Sequence, residues 1–499
     1  MNILNSSTLD GLHPSVRRPP FDPTQLAPGI VHLGVGAFHR AHMAYYTQRA
    51  MGKTPEDTIA GDTTWGIRGV SFRSTAVRDR LRPQDFLYAL AACDNEHEDI
   101  EIIGAVRDIV YAGDNPLVCP ALIADRETRI VSMTITEKGY CHDPATGQLD
   151  ENHPGVLLDL ESPDKPVTAI GALAEGLRLR RDLKSGRLTL LSCDNLPANG
   201  SALARILRRY VELVDPSLLA WIDDAVSFPS CVLDRIVPAT TEDDRTHIAN
   251  TLGVRDESPV IAEAFSQWVL EDDFRAGRPA WEIAGVKMVS RADEFETMKL
   301  RLLNGPHSAC AYLGYLAGFA TIAQVVATKE FPRFLLRMMD EEIIPGLVVS
   351  AGMDVESYKL SVLDRFANPA LAHETRQIAM DGSQKLPQRL LESVRSALEK
   401  SLPLDCLALS VAAWMRFVTG TNENGESIEV SDPLAPKLLD VGQAGAGDAT
   451  QLVEGYLGLD EIFGSDLRQS DRFKVAATAA LATLYEKGTL RTVTHYAER

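Results

Sequence analysis

Paired cysteines are missing from this sequence. Its seven cysteines (Cys93, Cys119, Cys141, Cys193, Cys231, Cys310 and Cys406) stand singly, with no CxxC. That pattern argues against a disulfide framework and against a structural zinc site. No HExxH or similar metal-ligand pair occurs either, so the expected chemistry is metal-independent. No apolar run approaches the roughly 20 residues that cross a bilayer. The opening "MNILNSSTLDGLHPSVRRPP" lacks the apolar core of a signal peptide, so a cytoplasmic chain with no membrane partner is expected. Positive charge is also scarce. A formal net charge of −19, with no basic stripe interleaved with aromatics, speaks against nucleic acid as a partner.

What remains is the composition of an ordinary globular chain, 45% hydrophobic and 24% charged. Its 499 residues are too many for a single core, so at least two domains are expected. The run "GIVHLGVG" reads as a short buried strand ending in glycines, and "AFHRAHMAYYTQRAMG" after it has helical character. A second strand, "WGIRGVSFR", follows at βαβ distance, and "IEIIGAVRDIVYA", "TRIVSMTIT" and "LTLLSCDN" continue the series. Residues 1–290 are therefore expected to form an α/β, Rossmann-type, doubly wound and mainly parallel sheet domain. Long helical stretches such as "FPRFLLRMMDEEII" and "LPQRLLESVRSALEKSL" make residues 291–499 a mainly α-helical substrate or catalytic domain. "GQAGAGDAT" reads as its one flexible loop.

The first turn lacks something too. In GxGxxG the first glycine makes the tight turn, the second lets backbone approach a pyrophosphate, and the third lets helix and strand pack closely. In "HLGVGAFHRAH", Gly34 and Gly36 fill the first two places and His39 stands in the third. A nucleotide site and a plain βα turn both fit this spacing. After the second strand, where NAD-binding members of the fold carry an acidic residue, the chain has "FRSTAVRD". Arg73 either receives a 2′-phosphate or is a solvated arginine, which leaves both NAD and NADP open.

The most informative stretch is "FETMKLRLLNGPHSACAYLGYLAG". On one helix Lys299, His307 and Asn304 fall at about 0°, 80° and 140°, a broad single side. Gly305-Pro306 predicts a break near Asn304. A lysine with a depressed pKa is a general base for alcohol oxidation, and an asparagine amide donates to the oxygen where charge develops. The competing reading pairs Lys299 with Glu296 on a solvated face. In "SCDNLPANG", Asn195 stands beyond the carboxyl end of a strand, where ligands of open α/β sheets bind; an Asx cap is the alternative. Asp234 and Arg235 in "DRIVP", with Arg376 and Lys385, add charges suited to an anionic substrate or to the surface.

In order, "GVGAFHRAH", "TITEKGYC", "SCDNLPANG", "DRIVP", "WVLEDDFRAGRPAWE", "KLRLLNGPHS" and "DGSQKLP" resemble the polyol-specific long-chain dehydrogenase/reductase (mannitol dehydrogenase) family, from about residue 30 to the C-terminus. The family pattern resembles GxGxFxR, met by Gly34, Gly36, Phe38 and Arg40, so no third glycine is expected. The resemblance implies a metal-independent NAD(P) enzyme with a Rossmann-type and a helical domain. It makes Lys299 the general base, gives Asn195 and Asn304 the oxyanion, and has His307 orient the substrate. Glu296 would gate proton exchange, and Asp234, Arg376 and Lys385 would line the substrate pocket. "FRSTAVRD" departs from the acidic pattern of mannitol dehydrogenases.

"QIAMDGSQKLPQRLL" and "AYLGYLAGFATIA" look closer to the fructuronate reductase branch, which implies interconversion of D-fructuronate and D-mannonate. The same machinery acting on D-mannitol and D-fructose is the alternative. A non-catalytic nucleotide or sugar-acid sensor is a third reading, which the base at Lys299 disfavours. A hexonate needs a cation. Arg301 lies two residues from Lys299 and points away on a regular helix, leaving Arg376 or Lys385. The expected partner is a small sugar acid or polyol, and the acidic surface suits a monomer or small homo-oligomer.

Overall fold

The computed structural model describes residues 1–52, 62–94, 97–143, 146–349, 353–369, 373–445 and 447–499. They fall into two units, Met1–Asp293 and Glu294–Arg499. Along the first run the strands β1 (Pro28–Leu33), β2 (Gly66–Ser71), β3 (Tyr88–Cys93), β4 (Glu98–Ile103), β5 (Val106–Tyr111) and β6 (Ile130–Met133). They are followed by β7 (Leu188–Ser192), β8 (Val226–Ser227), β9 (Cys231–Asp234), β10 (Val260–Glu263), β11 (Gln267–Glu271) and β12 (Lys287–Val289).

The main sheet has the order β5-β2-β1-β6-β7-β8, and every pairing in it is parallel. Its strands are apolar on both faces because both faces are covered. Ile30, Ile67 and Ile130 enter one core, while Val31, Leu33, Val70, Val131 and Met133 enter the other. Each such side chain, fully buried, stabilises the fold by about 1.5–3 kcal/mol. The chain builds outward from β1 to β2 and β5 on one side, then returns to β6, β7 and β8 on the other. The strand order therefore reverses between β1 and β6, and the crevice at their carboxyl ends is where an open α/β sheet binds ligands.

Two small sheets, β10-β3-β4 and β12-β11-β9, accompany it. The apolar segment "IEIIGAVRDIVYA" is divided between sheets. At Gly104 the chain leaves β4, which is antiparallel to β3, and enters β5, which is parallel to β2. The helical stretch after β1 is two helices, Ala37–Ala41 and Met43–Met51, with His42 at φ −123° and ψ −86° between them.

The second unit is built from helices. Near its start Asp293–Lys299 is α-helical, Leu300–Asn304 is π-helical, and Gly305–Leu316 is α-helical again. The break expected at Asn304 does not occur. The Gly305 N–H donates to the Leu300 carbonyl five residues back, and Pro306 lies in the first turn of the following helix, where a missing N–H costs little. Met338–Ile343 and Pro387–Leu391 are π-helical as well. A Cβ on Gly305 would lie 2.8 Å from the Arg389 carbonyl oxygen, so glycine lets two π stretches approach. The expected loop "GQAGAGDAT" is largely helical: Ala435–Gly445 includes its first four residues, and Ala449–Leu457 follows an Asp448 cap. Gly445 is there because Leu452 occupies the space of a side chain. Ala446 lies outside the described residues.

Candidate active site

In the first unit the site begins at the turn after β1. Gly34 has φ +92°, a conformation that favours glycine, and a Cβ there would fall on the Thr134 carbonyl oxygen at the end of β6. The Gly34 N–H donates to the Val70 carbonyl at 2.8 Å, and the Thr134 hydroxyl donates to the Gly34 carbonyl at 2.7 Å. This first glycine is thus locked between β2 and β6. Gly36 differs: it is exposed, and a Cβ there meets nothing within 4 Å. The Gly36 N–H donates to the Gly34 carbonyl at 2.8 Å, and the open space where a Cβ would stand lets a pyrophosphate approach the backbone, as the second glycine of a dinucleotide turn does.

His39 occupies the third place and is fully buried, its ring stacked on that of His32 from β1 with centroids 3.4 Å apart. His32 is anchored by Ser132 Oγ at 2.8 Å, Thr134 Oγ1 at 2.9 Å and the Gly34 carbonyl at 3.1 Å. Burial pushes His32 down to about 3 and His39 well below the ordinary imidazole value. Burial thus favours the neutral form of both rings, and a flat imidazole does the helix-to-strand packing for which other turns use glycine. Phe38 stacks on His42 at 5.1 Å. Arg40 turns inward: it is 6% exposed, lies over the Tyr88 ring and donates to the Ser258 carbonyl. Its part in the motif is to anchor the helix. Arg73 is exposed two residues past β2, and among the described residues it has no ion-pair partner.

The loop after β7 is pinned by Asp194. Its buried carboxylate accepts the N–H groups of Ile135 and Thr136 at 3.0 and 2.9 Å and the Tyr140 hydroxyl at 2.8 Å. Thr136 has φ +62°, a strained value for threonine that these bonds help hold. Asn199 donates back to the Asp194 carbonyl at 3.1 Å and to the Cys231 carbonyl at 2.9 Å. Asn195 is left exposed at the carboxyl end of the sheet. Asp234 is buried at the end of β9. The neighbouring Arg235 is structural, donating to the Glu263 and Ala41 carbonyls at 3.0 and 2.6 Å.

In the second unit Glu296 and Lys299 are half-buried on the first helix. Asn304 ends the π stretch, 7% exposed, and His307 follows at 9%. Among the described residues Asn304 Nδ2 and His307 Nε2 have no hydrogen-bond partner. Buried polar atoms are nearly always satisfied, and among the described residues orphans also occur at His39 and His42; those at Asn304 and His307 stand three residues apart on one helical run. The π turn ends at the first of them, and such turns recur at functional sites.

His307 packs against Phe366 at 5.0 Å and His373 at 4.9 Å between ring centroids. Burial holds it well below the usual imidazole value, and His373, Arg389, Arg365 and Lys385 push the same way. Arg389 also reaches the Ser308 hydroxyl at 3.4 Å, and Lys385 donates to the Met380 carbonyl at 2.6 Å. Lys385 is among the charges that act on His307. Arg376 is not: it is exposed and paired with Glu429. Arg365, His373 and Arg389 escaped the sequence reading because they belong to separate segments, and no spacing links them to residue 307.

A parallel sheet with a reversal at its first strand, a two-glycine turn and a helical unit bearing lysine, asparagine and histidine together define a Rossmann-type oxidoreductase. The comparisons narrow this. Residues 28–283 match the mannitol dehydrogenase Rossmann domain and residues 291–485 the mannitol dehydrogenase C-terminal domain. The D-mannonate oxidoreductase of Escherichia coli is 42% identical over 95% of this chain and 96% of its own. A mannitol 2-dehydrogenase of Phaeosphaeria nodorum is 38% identical over 99% and 85%. The structure of Pseudomonas fluorescens mannitol 2-dehydrogenase, a ternary complex with NAD and D-mannitol, superposes with a TM-score of 0.87 at 35% identity, covering 99% of each chain. The chain belongs to the mannitol dehydrogenase family and is an alcohol dehydrogenase/reductase.

Proposed function

We propose that this chain interconverts D-fructuronate and D-mannonate by hydride transfer at a secondary carbon, with NAD as the cofactor. The observation that carries the reading is the pair of orphaned buried atoms at Asn304 and His307, on the helical run that also bears Lys299. The likeness to a D-mannonate oxidoreductase supports the substrate. In oxidation, neutral Lys299 takes the hydroxyl proton, Asn304 and Asn195 donate to the oxygen as charge gathers on it, and His307 orients the polyol chain. In reduction, protonated Lys299 returns the proton to that oxygen, with Glu296 passing protons to solvent. Gly34, Gly36 and Phe38 shape the turn that would hold the dinucleotide, and Arg40 anchors it. When bound, the nicotinamide accepts or supplies the hydride. Asp234 and Lys385 are assigned to substrate binding, and Arg73 to the ribose end of the cofactor. In this reading the protein is a cytoplasmic monomer or small homo-oligomer whose only partners are small molecules.

The likeness to mannitol 2-dehydrogenases supports a second reading, D-mannitol and D-fructose with the same machinery. Formation of reduced nicotinamide, followed by absorbance with D-mannonate and D-mannitol and with NAD and NADP in turn, separates the two. Preference for D-mannonate is expected. Preference for D-mannitol overturns the substrate, and silence with all four pairs points to another polyol or to a sensor.

A further inference from the structure

Thr136, three residues past the end of β6, stands in a conformation that threonine avoids. Its φ of +62° and ψ of 163° lie in a region populated almost only by glycine. Such a residue persists only where its surroundings over-determine it, and strain of this kind gathers at ligand sites. Here the surroundings are explicit. Asp194 takes the Thr136 N–H at 2.9 Å and the Ile135 N–H at 3.0 Å, and the Gly139 N–H donates to the Thr136 carbonyl at 2.9 Å. Asp194 is fixed in turn by the Tyr140 hydroxyl, which also lies 2.6 Å from Ser192 Oγ. The backbone of Thr136 is thus held on both sides, while the residue itself is exposed. An exposed threonine gains no packing from this strain, and glycine would follow the same backbone without it.

Its place in the sheet indicates the group it would meet. The two-glycine turn follows β1, Arg73 follows β2, and Asn195 follows β7, while β6 stands between β1 and β7. A dinucleotide crossing this crevice has its adenosine toward β2 and its pyrophosphate on the β1 turn. Its second ribose then lies over β6, before the nicotinamide reaches the side of β7. The Thr134 hydroxyl is bonded to the Gly34 carbonyl, and two residues of chain reach about 7 Å at most, so Thr136 stays beside that turn. We propose that Thr136 is held in this conformation to present its hydroxyl to the ribose of the nicotinamide half of the dinucleotide. This rests on the β1 turn being the dinucleotide site and goes further by naming a contact for the second ribose. A hydroxyl both donates and accepts, as the two hydroxyls of a ribose require. The strain is borne by the free protein, so the contact is positioned before the dinucleotide arrives. One carboxylate, that of Asp194, then ties the ribose contact to the loop that carries Asn195.

The test is calorimetric titration of the full chain, and of Thr136→Val, Thr136→Ser and Thr136→Gly, with NAD and with ADP. ADP carries the adenosine and the pyrophosphate but no second ribose. Thermal unfolding without ligand is followed on the same proteins. One lost neutral hydrogen bond corresponds to about threefold to tenfold in affinity. Thr136→Val should weaken NAD by that factor and leave ADP unchanged, and Thr136→Ser should bind both as the unaltered chain does. Thr136→Gly should also weaken NAD, yet unfold at a higher temperature, because glycine adopts this backbone freely. If Thr136→Val binds NAD within about twofold of the unaltered chain, or loses NAD and ADP in parallel, the ribose contact is overturned while the dinucleotide site stands. A lower unfolding temperature for Thr136→Gly overturns it as well, since the backbone is then not held against its preference. If the unaltered chain takes up neither NAD nor ADP, the dinucleotide reading falls first and the ribose contact with it.

Discussion

The imidazole of His39 lies flat on that of His32, with planes 16° from parallel and centroids 3.4 Å apart. The stack joins the first helix to the first strand of the parallel sheet at the point where dinucleotide turns ordinarily use a third glycine. Burial lowers the proton affinity of both rings, which favours the neutral pair.

Acid should therefore undo it. In the unfolded chain each histidine takes a proton near pH 6.5, whereas burial pushes His32 to about 3 and His39 well below its ordinary value. The unfolded state then binds protons that the folded state refuses, and stability is lost as pH falls from about 6.5 toward 3, by up to about 1.4 kcal/mol per pH unit for each ring. His39→Phe keeps an aromatic ring and removes one titration. Urea unfolding across this range should show a shallower loss for the variant; an unchanged slope would mean that His39 already carries its proton in the fold.

The two glycines of the turn should behave oppositely. Gly34→Ala places a methyl on the Thr134 carbonyl at a φ of +92° and should lower the unfolding temperature markedly. Gly36→Ala meets no protein atom at φ −82° and should be neutral or stabilising by about 0.4–1 kcal/mol. Its effect should appear instead as weaker dinucleotide binding by titration calorimetry.

Asp194 is a stability determinant next to a proposed functional residue. Asp194→Ala leaves the Ile135 and Thr136 N–H groups and the Tyr140 hydroxyl without their acceptor, at about 1–3 kcal/mol for each buried orphan. Denaturant unfolding should register the loss, and kcat should fall with it because Asn195 is carried on the same loop.

Arg73 offers a separable test of cofactor choice. It stands exposed past β2, where a 2′-phosphate or 2′-hydroxyl is read. Arg73→Ala should raise KM for NADP by about tenfold while moving KM for NAD by less than about twofold. Equal effects on both would remove Arg73 from the ribose site.

Much of the first unit was legible because its signals are local. "GIVHLGVG" is a buried strand feeding glycines, and the structure has β1 followed by a turn whose first glycine no other residue replaces. The small sheets were not legible, since an apolar run such as "IEIIGAVRDIVYA" carries no mark of the sheet each half joins. In the second unit Lys299, Asn304 and His307 stand out by residue type as candidates, but the π turn between them does not. A proline after glycine looks like a break until the bond from Gly305 to Leu300 shows how the helix absorbs it. Arg376 was singled out because it stood in a recognisable motif, yet the cations at His307 include Arg365 and Arg389, which only the folded chain brings there.

In the proposed reaction Lys299 moves the proton while the nicotinamide exchanges the hydride. The most direct measurement is kcat for Lys299→Ala with D-mannonate, taken beside dinucleotide affinity of the same variant. A loss of about 10²–10⁴-fold in kcat is expected, as for removal of a general base, with dinucleotide affinity retained. A variant that turns over within about tenfold of the unaltered enzyme would contradict it.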